Sequence, residues 1–223
     1  MTTFQRAHSP QQREVRRNAI LAAATAMLDE MPASAISLNE LSRRAGMAKS
    51  NVLRYFESRE AVLLELCNAH MTAWIGDLDK ALEAAVDAGA TANARARALV
   101  DTLTTSLAER PVLCDLMASQ AAVLDHNVST TAVLQFKRVS IANFDRLIAL
   151  MGRHMPELGS DRARRFTMLA AMLASSVWTN SRPPTAVVAA YEADPQIACY
   201  RIEFEPALRD ALRITMAGLL AEE

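Results

Sequence analysis

From about residue 11 to residue 221, apolar side chains return every three or four positions, and alternating β-branched runs are nearly missing between them. That spacing lines one face of an α-helix, whereas a half-buried strand needs strict alternation. A chain patterned this way buries its apolar surface by packing helix on helix. The composition agrees: Ala, Leu, Met, Glu and Arg are plentiful, while only six glycines interrupt 223 residues. At that length one large domain, or a small domain joined to a larger one, can bury a core without disulfides or metals. The expected fold class is all-α.

Breakers and caps divide the pattern. Residues 1–12 read as a loose polar arm, and Ile20, Leu21, Ala24, Met27 and Leu28 predict a helix over 11–31 that Pro32 stops. Ser37 followed by Glu40 is a capping box opening a short helix that ends at Gly46. A third helix is predicted over 49–56. Ser58 caps a fourth, with Val62, Leu63, Leu66, Met71 and Trp74 on its face, a kink near Gly76 and a stop at Gly89. Further helices are predicted over 93–109, from Pro111 to 124, over 130–154, over 161–181 behind Ser160, and over 206–221. The proline-bounded segment between the last two is expected to pack over the bundle, with a short helix over 185–191.

The net charge of −1 conceals an uneven distribution: residues 1–60 hold nine Lys/Arg against six Asp/Glu, and the remainder holds fifteen against nineteen. A basic head on an acidic body fits a nucleic-acid reader with a second function elsewhere. Cys67, Cys114 and Cys199 stand far apart among apolar or helix-forming neighbours and read as buried free thiols of a reducing compartment. With no secretory leader pattern and no long uncharged apolar run, a cytoplasmic protein without a membrane span is expected. His126 and His154 lack metal-ligand spacing, and no nucleophile elbow, P-loop or dinucleotide fingerprint is present. No metal, cofactor or enzymatic chemistry is expected.

Two short helices joined by a turn at Gly46 form a helix-turn-helix, with Leu38, Leu41, Ala45, Val52 and Phe56 facing the first helix. Lys49, Ser50, Asn51, Arg54 and Tyr55 are left outward or at the edge. In a major groove, Arg bridges guanine, Asn bridges adenine, and Lys, Ser and Tyr reach phosphates or bases. Lys49 and Arg59 oppose the dipole at helix starts, a cost that a bound phosphate removes.

The stretch AISLNELSRRAGMAKSNVLRYFESREAVLLEL, preceded by Arg13, Arg16 and Arg17, resembles the DNA-binding domain of the tetracycline-repressor-like (TetR) regulators over about residues 13–66. The resemblance implies an all-helical subunit of about nine helices in a two-fold homodimer, with a DNA-binding domain at 1–57 and a ligand-binding and dimerisation domain at 58–223. It places Ser37, Lys49, Ser50, Asn51, Tyr55 and Arg59 at DNA-contacting positions, with Arg54 beside them. Leu53 stands where the family often has Tyr, Tyr55 where His is frequent, and Arg59 where Lys is usual.

Beyond residue 66 the ligand site is read from the residues themselves. Trp74, Met117, Met151, Met155, Met168, Met172 and Trp178 are candidates for a flexible apolar lining. Leu208, Leu212, Thr215, Met216, Leu219 and Leu220, with the 166–177 stripe, are candidates for the dimer face. The expectation is a dimeric repressor that binds a double-stranded operator and is released by an unidentified small molecule. The alternatives are an all-helical binding or scaffold protein whose basic head meets an acidic partner, and a helical enzyme using His154 with Glu157.

Overall fold

The computed structural model describes residues 10–124 and 127–222, and among these every regular element is a helix. In chain order they are α1 (Pro10–Glu30), α2 (Leu38–Arg44), α3 (Lys49–Val52), α4 (Arg59–Ala85), α5 (Ala92–Ala108), α6 (Pro111–Leu124), α7 (Thr130–His154), α8 (Gly159–Asn180), α9 (Thr185–Ala193), α10 (Pro195–Ala198) and α11 (Phe204–Ala221). Short 3-10 turns occupy Ala33–Ala35 and Pro156–Leu158. None of the described helices is long and apolar enough to cross a membrane.

Local chemistry sets most boundaries. Ser37, Ser58, Thr91 and Ser129 each accept a hydrogen bond from the amide three residues on, at 3.1–3.3 Å, and so satisfy a donor that the first turn leaves unpaired. α2 ends in a Schellman arrangement: Met47 N donates to Ser42 O (3.0 Å) and Gly46 N to Arg43 O (3.2 Å), with Gly46 at φ +64°.

Two apolar cores stack along α4. The first joins Ile20, Ala24 and Met27 of α1 to Ile36, Leu41, Val52 and Phe56, and to Val62, Leu63 and Leu66 on the first half of α4. The second joins Trp74, Leu78 and Leu82 on its other half to Leu99 and Leu103 of α5, Phe166 of α8, and Leu208, Leu212 and Met216 of α11. Leu116 of α6 and Phe136 of α7 belong to the first core, so the larger bundle reaches into the head.

Several expectations are corrected. α1 already includes residues 10–12, and the rest of the expected arm lies outside the described residues. α3 closes at Val52 instead of residue 56, because Arg54 N and Tyr55 N donate to Asn51 O and Val52 O and tighten the chain enough to turn Phe56 into the core. α4 runs through Gly76 as one helix and stops at Ala85, before Gly89. Ser160 lies inside the first turn of α8 and caps nothing. Leu208, Leu212, Met216 and Leu219 are buried within the subunit, so they do not form a free dimer face. Cys199 is exposed, while Cys67 and Cys114 are buried.

A Cβ built at Gly46 meets nothing within 4 Å, so replacement there acts through backbone conformation alone. Gly46→Ala is expected to lower stability by about 1 kcal/mol and Gly46→Asn by less, as read by denaturant unfolding.

Candidate nucleic-acid interface and interior cavity

The turn after Gly46 brings Lys49, Ser50, Asn51 and Arg54 onto one exposed ridge. Leu53 is 41% exposed among them, an apolar side chain on an otherwise polar edge. Tyr55 is half-buried: it packs against the head core and lines a groove shared with Arg17, Glu65 and Phe136. Ser37 is exposed, and its oxygen is engaged in capping α2.

The basic residues separate by partner. Arg43 and Arg44 both donate to Glu40, and Arg44 makes two further bonds of 2.7 Å to Glu30. Hydrogen bonds from Arg43 and then Arg44 hold the Glu40 carboxyl down at about 2. Arg17 pairs with Glu65, and its guanidinium lies 4.9 Å above the Phe56 ring. Arg59 donates to Ile36 O (2.7 Å) and pairs with the buried Glu60 (2.7 Å), so it ties the start of α4 to the segment entering α2. Among the described residues, Lys49 and Arg54 make no ion pair, which leaves both charges directed at solvent.

Deeper in the chain, α4, α5, α6, α7 and α8 line a partly open cavity of about 410 Å³. Of the residues expected there, Trp74, Met117, Met151 and Met172 line it, with Met172 60% exposed at an edge. Met155 and Trp178 are not in the lining; both are buried in the second core, and Met168 is 43% exposed outside it. Cys67, Asn68, Phe136, Ser140, Asn143 and Phe144 complete much of the wall and were not expected as ligand contacts. The polar interruptions Ser140 and Asn143 within the apolar stripe of α7 are the signal that marks such a wall.

His154 does not form a catalytic pair with Glu157, whose carboxylate pairs with Arg95. Burial, then the Arg153 charge, depresses the His154 pKa. His126 lies outside the described residues. Among the described residues, no three His, Cys, Asp or Glu side chains gather to hold a metal.

A helix-turn-helix head with an unpaired basic ridge, carried on a helical bundle with an interior cavity, defines a DNA-binding regulator. The chain matches the family model for the bacterial regulatory proteins of the tetR family over residues 20–66, and the tetracyclin repressor-like C-terminal domain over residues 68–223. The protein belongs to the TetR family of DNA-binding transcriptional regulators, a family of regulators and not of enzymes. Its fold is similar to that of a TetR transcriptional regulator from Rhodococcus sp. RHA1 (TM-score 0.56, 16% identity, 96% of this chain and 98% of that one). It is also similar to Thermus thermophilus FadR, a TetR-family repressor solved with lauroyl-CoA (0.57, 17%, 93% and 96%). A third is the fatty acid degradation regulator FadR from Bacillus halodurans (0.52, 16%, 92% and 98%). Among curated proteins, none matches the chain.

The Glu40 carboxyl has a folded pKa near 2 against an ordinary 4.5, so its contribution is complete above 4.5 and disappears as pH falls through 2. Glu40→Gln is therefore expected to lower the unfolding temperature at neutral pH. The gap to the parent protein closes between pH 4.5 and 2 in a pH series of thermal melts.

Proposed function

We propose that the protein is a cytoplasmic homodimeric repressor that binds a near-palindromic operator and leaves it when a small molecule enters the interior cavity. The carrying observation is the ridge formed by Lys49, Ser50, Asn51 and Arg54, which sets two unpaired basic side chains on the outer side of a helix-turn-helix. On this reading Lys49 contacts phosphate, Asn51 and Arg54 read base edges, and Ser50 and Tyr55 assist from the ridge and its flank. Ser37 offers its hydroxyl proton to phosphate while still capping α2. Arg59 holds the head in place through Ile36 and adds positive potential. Residues 1–57 form the DNA-binding domain and 58–223 the ligand and dimer domain, with α4 shared by both cores.

The dimer face is assigned to the outer surfaces of α8 and α11, where Met168, Leu169, Met172 and Ile214 are exposed. Release by ligand is supported by Phe136, which lines the cavity and also sits in the head core. The Thermus thermophilus neighbour, a repressor solved with lauroyl-CoA, supports the repressor assignment and the use of a small-molecule ligand.

Affinity for duplex DNA is expected to fall steeply with salt. Lys49→Ala flattens the slope by about one unit, whereas Asn51→Ala relaxes the sequence preference selected from a random duplex pool. A protein with no duplex affinity at low salt is instead the scaffold whose basic head meets an acidic partner. Phe136→Leu is expected to keep operator affinity but lose most of the drop in affinity caused by a small molecule chosen in a thermal-shift screen. Fluorescence anisotropy on labelled operator reads both quantities.

A further inference from the structure

Taking the cavity as the effector site, we propose that it accepts an uncharged, mostly apolar molecule carrying a hydroxyl or carbonyl as its polar end. Among the described residues, the lining contains no Asp, Glu, Lys, Arg or His. An ion entering it would shed its hydration shell and meet no counter-charge, which strongly disfavours the ionised form. The Cys67 thiol supplies no hidden anion, because burial pushes it up to about 12.

The neutral polar groups in the wall are mostly engaged already. Asn68 donates to Phe136 O (3.1 Å) and accepts from Ser140 Oγ (3.0 Å). Thr167 and Ser175 donate to carbonyls of their own helix, Ala163 O and Ala171 O. Two amides keep spare capacity. Asn143, only 4% exposed, donates to Thr72 Oγ (3.0 Å). The single Thr72 hydroxyl proton goes to Asn68 O at 2.8 Å, in preference to Asn143 Oδ1 at 3.2 Å, which leaves that oxygen ready to accept. The side chain of Gln120, also in the lining, makes no hydrogen bond among the described residues. An amide oxygen accepts from a hydroxyl and an amide N–H donates to a carbonyl, and neither asks the ligand for charge. The remaining wall, with Trp74, Phe144, Phe166, Met117 and Met151, is apolar and adaptable. A cavity of about 410 Å³ lies within the range of small-molecule sites.

Four probes with related chains separate the possibilities: 1-decanol, decanoate, decylammonium and lauroyl-CoA. Each is titrated calorimetrically into the full-length protein near neutral pH. Decanol is expected to bind at least about tenfold more tightly than the three ions. Decanoate should gain affinity as pH falls, since the neutral acid is the admitted form. Ala171→Phe fills the cavity and should abolish decanol binding; where its melting curve shows a failed fold, Ala118→Leu serves instead. An ion that binds as tightly as decanol and is lost in the filled variant overturns the neutral-ligand assignment but keeps the cavity as effector site. Decanol binding that survives both filled variants, or no binding by any probe, overturns the neutral-ligand assignment and the cavity reading together.

Discussion

The burial of one helix in two cores holds this molecule together. α4 is 27 residues long, roughly 40 Å at 1.5 Å per residue. Its Val62–Leu66 side completes the head core, and its Trp74–Leu82 side completes the core of the bundle. Neither half forms its full apolar contacts without this helix. On the proposed function, a rotation or shift of the second half, where the cavity lies against Trp74 and Met71, would pass to the first half because α4 is unbroken. The Arg17–Glu65 pair and the Arg59 bond to Ile36 O hold the head to the first half of α4.

Two further struts keep the head from swinging on α4 alone. Asp115 of α6 accepts from Ala33 N at 2.7 Å, beside the Leu116 that enters the head core. Glu57 accepts from Ser129 N at 2.6 Å, at the start of the helix that carries Phe136. α6 and α7 both line the cavity as well. On the proposed function, a ligand that parted these helices would change the support of the head at three points, and packed interfaces respond to such changes by switching between discrete arrangements.

The head was readable in the sequence because its signals are local. A capping box, a glycine that alone takes φ +64° at no steric cost and an i, i+3, i+4 stripe each act within a few residues. The same locality explains the legible helix boundaries at Pro111, Thr130 and His154. What escaped depended on distant partners. The stripe from Leu208 to Leu219 is equally apolar whether it meets α5 and α8 of its own subunit or a second copy, and periodicity carries no information about which. Met155 and Trp178 share the residue types of the cavity wall, yet helical phase and tertiary packing set them in solid core. Asn68 and Asn143 are single polar residues on helices far apart in sequence, and only folding brings them to one wall.

Charge is distributed on one principle throughout. Four basic side chains of the head are paired internally, Arg43 and Arg44 with Glu40 and Glu30, Arg17 with Glu65 and Arg59 with Glu60, and these pairs orient helices. Lys49 and Arg54 on the helix-turn-helix, and Arg13 and Arg16 on α1, make no ion pair among the described residues and are exposed. The cavity has the opposite character, with polar atoms in its wall but no charged side chain among the described residues. On the proposed function, a polyanion would be drawn to the head by long-range attraction, while a ligand of the interior would be sorted by shape and hydrogen bonding after its water is lost. The two sites demand opposite chemistries, so a molecule suited to one is a poor competitor for the other. On that reading, ligand and DNA would affect each other through the helices between them.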